Sequence, residues 1–125
     1  MRLRLYRRLA GLTTLKEIDE IGKEIKDRFG EMPEPVFNLL YQLKLKVLAL
    51  EAEVKSIVTE VGQIIIRADS LQNVDRAGLE RRLSSAAKIT PRQASLPLHP
   101  NQEVWQAELE KALRLIVRMV NDPAG

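Results

Sequence analysis

The chain has 125 residues with 20 Lys+Arg, 17 Asp+Glu and a formal charge of +3, enough length for one hydrophobic core and too little for two. Its 45% hydrophobic and 30% charged content is that of a folded globular chain, and without cysteine it has no disulfide framework, thiolate nucleophile or zinc–cysteine site, which suits a reducing cytoplasm. No apolar run approaches the roughly 18 residues of a membrane span, and the arginines near Met1 are not followed by the apolar stretch of a secretory signal.

Met1 leads straight into an Arg-Leu periodicity, as expected of a piece cut from a longer polypeptide. Residues 1–12 read as a short helix with Leu5, Leu9 and Leu12 on one face. They carry Arg2, Arg4, Arg7 and Arg8 and no acid, and Gly11 with Thr13-Thr14 ends them. Thr14 and Glu17 have capping-box spacing, which predicts a helix over 15–29. Leu15, Ile18, Ile21, Ile25 and Phe29 form its apolar stripe, while Glu17, Glu20, Glu24 and Asp27 form a second, acidic one. Gly30 stands where a left-handed C-cap favours glycine, and Pro35 where a new helix tolerates proline. The next helix is predicted from 35 to about 53. Val36, Phe37, Leu39, Leu40, Leu43, Val47 and Leu50 cover much of its circumference and predict a central, well-buried element.

The period then changes. Segments 54–60 and 63–68 are rich in β-branched residues, and Val61-Gly62 between them predicts an antiparallel hairpin. A weaker helix is predicted from 73 to about 84, where Gly78 in its interior costs roughly 1 kcal/mol against alanine. Residues 88–98 predict one or two strands, kept short or at an edge by Pro91 and Pro97. His99-Pro100 reads as a loop and Asn101 as an N-cap. The last helix, 102–121, turns Trp105, Leu109, Leu113, Ile116, Val117 and Val120 inward. There is no internal repeat. The fold class is α+β: helices packed with a small antiparallel β-sheet in a single domain.

Little in this pattern is chemical. His99 is the single histidine and has no Cys, His or Asp near it in sequence. No phosphate loop, dinucleotide glycine motif, nucleophile elbow or metal-ligand cluster is present. The carboxylates of 15–29 lie among Lys16, Lys23 and Lys26 on a solvated face, without the desolvation that acid–base work requires. No catalytic residue, cofactor, metal or small-molecule substrate is expected. Arg4, Arg7 and Arg8 share one side of the first helix and make a small positive patch. Three cations fall short of the ~6–10 phosphate contacts typical of backbone-driven binding, and few aromatics are available for stacking. An accessory nucleic-acid-contacting domain is therefore the alternative reading; a solvated face, or one meeting a preceding domain, is the plain one. By periodicity alone the acidic stripe is likewise only a solvent face.

The string Lys23-Glu24-Ile25-Lys26-Asp27-Arg28-Phe29-Gly30-Glu31-Met32-Pro33-Glu34-Pro35-Val36-Phe37-Asn38-Leu39-Leu40 adds to this. It resembles the C-terminal domain of the bacterial transcription-repair-coupling factor, with its Glu-x-x-Asp-Arg-Phe-Gly helix end, Pro-x-Pro turn and Asn-Leu-Leu. Arg2-Leu3-Arg4-Leu5-Tyr6-Arg7-Arg8-Leu9-Ala10 is similar to the arginine- and leucine-rich opening of that domain. The resemblance implies a fragment of a large ATP-dependent DNA translocase that displaces stalled RNA polymerase and recruits excision repair through UvrA. It implies that this domain is regulatory and not enzymatic. Such a domain docks on the UvrB-like N-terminal module of the same polypeptide and masks its UvrA-binding surface. The positions that carry over are Glu24 and Asp27, beside Arg28.

Overall fold

A computed structural model describes residues 14–83 and 86–121. Among these are four α-helices, one 3-10 helix and a four-stranded antiparallel sheet, so the fold is α+β as expected. The residues cluster into two compact units that part between Val47 and Leu48.

The first unit contains helix α1, Leu15–Phe29, and most of helix α2, Glu34–Glu51. Thr14 begins α1 as predicted: its hydroxyl oxygen accepts from the Glu17 N–H at 3.2 Å and donates to Glu17 Oε1 at 2.9 Å. Ile18, Ile21 and Ile25 are buried together with Leu40 and Val47, and Leu15, Met32, Val36, Leu39 and Leu43 pack around them. This is the stripe read from the sequence, minus its last member. Two cross-contacts set the helix direction. A Cβ at Gly22 would meet Leu40 Cδ1 at 3.9 Å, and Lys44 Nζ lies 4.0 Å from Asp19 Oδ1. As numbers rise along α1 they fall along α2, so the pair is an antiparallel hairpin.

Four residues join the helices. Gly30 donates its N–H to the Lys26 carbonyl at 2.9 Å, with φ 73° and ψ −120°. The positive φ was expected, but this ψ is that of a type II′ turn rather than of a left-handed helical cap, and it favours glycine even more strongly. The Pro33 carbonyl then accepts from the Val36 and Phe37 N–H groups at 3.1 and 3.0 Å and opens α2.

Helix α2 departs from expectation in two ways. Its apolar circumference is not buried throughout, since Phe37 is 51% and Leu50 72% exposed. It also stops at Glu51 without a glycine. Val54 donates to the Ala49 carbonyl and Glu53 to the Leu50 carbonyl, with Glu53 at φ 58°. That is a Schellman motif closed by a glutamate, a stop that no residue type announces. Ser70, the one buried polar residue among those described, donates its hydroxyl to the Ala52 carbonyl at 2.7 Å and satisfies the group just past that end.

In the second unit, β1 (Ser56–Glu60) and β2 (Gln63–Arg67) form the expected hairpin, turning on Val61 and Gly62 at φ 67°. Strands β3 (Lys88–Ile89) and β4 (Gln93–Pro97) complete a sheet of order β1-β2-β4-β3. The prolines were expected to keep this segment short or at an edge. This holds for β3, two residues long at the sheet edge; β4 is interior, and Pro97 is tolerated because it pairs with Gln63 at the end that β3 does not reach. Ile64 faces Leu96 and Ile66 faces Ala94 in register, and all four are buried.

The region predicted as one helix from 73 to about 84 is two elements. A 3-10 helix spans Asp69–Asn73, and α3 spans Arg76–Arg82 behind an Asp75 N-cap. Gly78 is not a defect there. Its N–H donates to Asp75 Oδ1 at 3.0 Å, and a Cβ on it would come within 2.4 Å of Asp75 Oδ2. Gly78→Ala is therefore expected to bring none of the ~1 kcal/mol that alanine gives in a helix, and to lose ~0.5–2 kcal/mol through the displaced cap. Chemical denaturation of both Gly78→Ala and Asp75→Ala checks this, since the two should destabilise by similar amounts.

Helix α4, Gln102–Asn121, follows the expected Asn101 cap, whose Oδ1 accepts from the Glu103 N–H at 2.9 Å. Leu109, Ala112, Leu113 and Ile116 are buried, whereas Trp105, Val117 and Val120 are only half-buried. Lys55 pairs with Asp69 at 2.5 Å, and its hydrogen bond and positive charge hold the Asp69 carboxyl below the usual value.

Candidate functional site

The acidic face of α1 is the candidate site, and the helix geometry divides it. With about 100° per residue, Glu17, Glu20, Glu24 and Asp27 project away from the buried Ile18–Ile21–Ile25 stripe. Of the four, Glu24 is half-buried and the other three are exposed. Arg28 Nη2 lies 3.5 Å from Glu24 Oε1, one turn on, so these two are partners in the isolated chain. Asp27 has no hydrogen bond or ion pair among the described residues.

Asp27 also sits in the last turn of α1, where unsatisfied carbonyls make the helix end partially negative and disfavour a carboxylate. Lys26 and Arg28 in the same turn are the charges this end prefers. An exposed acid in the wrong turn, without a partner among the described residues, is a carboxylate suited to an outside cation. The structure thus brings Glu24, Asp27 and Arg28 within the last two turns of one helix, next to the Gly30 stop. Arg4, Arg7 and Arg8 lie outside the described residues.

Two residues of this end were read only as core. Phe29 and Phe37 are 49% and 51% exposed, at the end of α1 and the start of α2. The Leu40–Gly22 and Lys44–Asp19 levels, carried along the antiparallel pair, set Phe37 about level with Lys26, within a turn of Phe29. Apolar periodicity could not distinguish them from the buried members of their stripes, because it gives the face a residue lies on and not what covers that face. Elsewhere, His99 accepts the Asn101 N–H on its Nδ1 at 3.0 Å and so shapes the loop before α4. Among the described residues no three His, Cys, Asp or Glu side chains are grouped to hold a metal ion. No described helix is long and apolar enough to cross a membrane.

A family model described as the TRCF domain matches residues 1–79, which include the whole α1–α2 hairpin. The transcription-repair-coupling factor of Buchnera aphidicola subsp. Acyrthosiphon pisum is 25% identical over 121 residues, 97% of this chain and 13% of that protein. The transcription-repair-coupling factor of Haemophilus influenzae is 36% identical over 78 residues, 61% of this chain and 7% of that protein. This chain therefore corresponds to a small part of the length of either relative. With the match spanning more than half of its residues, the chain belongs to the TRCF domain family.

Proposed function

We propose that this chain is the non-catalytic, autoinhibitory C-terminal domain of a bacterial transcription-repair-coupling factor. In this reading it docks on the UvrB-like N-terminal module of the same polypeptide and covers the surface that UvrA uses. The observation that carries the reading is Asp27: an exposed carboxylate beside Glu24, without a hydrogen bond or ion pair among the described residues, in the family-matched segment and at a helix end that disfavours its charge. Partner arginines would supply charge-assisted and, in good geometry, bidentate hydrogen bonds. Glu24 would exchange its Arg28 partner for one of these.

The energetics describe a switch. Exposed pairs contribute about 0.2–1 kcal/mol each, so two give roughly 0.4–2 kcal/mol. A short flexible tether supplies an effective concentration in the millimolar range, and half-occupancy at 1 mM needs about 4.1 kcal/mol. Such a latch opens readily when RNA polymerase engages the parent protein. The two acids alone leave it short of closed.

Charge reversal at both positions, Glu24→Lys with Asp27→Lys, tests the reading. In the intact factor the variant should recover UvrA in a pull-down that the wild type does not. The isolated chain should stay folded, since Asp27→Lys removes an unfavourable helix-end charge worth about 0.3–1 kcal/mol and the Glu24–Arg28 pair lies at the surface, with Arg28 exposed and Glu24 half-buried. Equal UvrA recovery by two stably folded proteins would refute the docking.

A further inference from the structure

Phe29 and Phe37 are the only large apolar side chains of the first unit that stand exposed among the described residues, and both sit at the connected end of the α1–α2 hairpin. That end also carries Glu24, Asp27 and Arg28. Resting on the docking reading above, we infer that the partner module meets this end of the hairpin end-on, with an apolar socket for Phe29 and Phe37 rimmed by arginines for Glu24 and Asp27.

The geometry requires the end-on approach. Residues two apart on a helix project on roughly opposite sides, about 160° apart, so no flat surface alongside α1 touches both Asp27 and Phe29. A surface abutting its last turn reaches both, together with the first turn of α2. The affinity requires the apolar contact. Two exposed ion pairs leave a millimolar-scale latch short of closure, and the half of each phenylalanine still in water is the remaining source of binding at this end. Buried aromatic anchors ringed by polar contacts are also how protein interfaces concentrate their affinity. The socket is accordingly the part of the contact that salt does not weaken, and the arginines are the part that sets register.

The test is an amide-resolved NMR titration of the 15N-labelled 125-residue chain with the UvrB-like module of the same factor, at low and at moderate salt. Perturbed amides should cover residues 24–37 on both sides of Gly30, with measurable binding persisting at moderate salt. Phe29→Ser with Phe37→Ser should weaken binding about 10- to 100-fold while leaving the amides of Ile18 to Ile25 unshifted. A footprint confined to Glu24–Arg28 with unchanged affinity in the phenylalanine variant overturns the socket and leaves the acid latch standing. No footprint on residues 14–47 overturns the docking reading itself and the socket with it.

Discussion

Ile66→Ala should cost this chain about 2–5 kcal/mol, as expected for truncating a fully buried core isoleucine. Ile66 is 0% exposed, lies at the middle of the sheet on β2, and faces Ile57 on one neighbour and Ala94 on the other. Removing its branched end takes apolar area from the core and leaves a cavity that two paired strands cannot collapse to fill. Ala94, its partner on β4, has no side chain long enough to fill the space. Urea denaturation followed by circular dichroism measures the loss. Phe37→Ser, with only about half of its side chain buried at the start of α2, should shift the same curve by about 1–2 kcal/mol, less than Ile66→Ala. If the two variants proved equally destabilised, the burial described for β2 would be wrong.

Gly30→Ala comes second, at about 1–3 kcal/mol. A Cβ at this position meets nothing within 4 Å, so the cost is not steric crowding by the fold. It arises in the backbone: at φ 73° and ψ −120° a side chain collides with its own peptide groups. Gly22 on the same helix makes the comparison. Its added Cβ would lie in ordinary contact with Leu40 at 3.9 Å and its φ is not positive, so Gly22→Ala should stabilise by about 0.4–1 kcal/mol. Thermal melts of the two variants should move in opposite directions. The functional consequence is that Gly30→Ala also misplaces the Phe29–Phe37 end, so it should weaken docking, whereas Gly22→Ala should leave docking unchanged.

The acids of α1 show how far a pattern can be read. Spacing was sufficient to place Glu17, Glu20, Glu24 and Asp27 on one stripe, because helical geometry is local and repeats. It did not distinguish among them. That Glu24 is tied to Arg28 while Asp27 has no partner among the described residues depends on side-chain conformations and exposure, which periodicity does not encode. Phe29 and Phe37 illustrate the opposite error. Each belongs to an apolar pattern, and each is nevertheless half in water.

Several elements were legible from residue types because their causes lie within a few positions. Thr14 and Asn101 start helices through their own oxygens, Gly30 and Gly62 turn the chain through their own φ, and the β-branched run Ile64-Ile65-Ile66 forms a strand. The stop of α2 at Glu51 and the interior place of β4 have causes farther away. Glu53 adopts a glycine-like conformation while Ser70, 18 residues past Ala52, satisfies the carbonyl of that helix end. Pro97 sits in an interior strand because β3 is too short to reach it. The sequence by itself thus determined the helices, the hairpin, the α+β class and the acidic stripe, all products of short-range backbone and side-chain preference. Only the tertiary structure decided which apolar side chains stay in water and which strand is interior, since burial and strand pairing are set by residues distant along the chain.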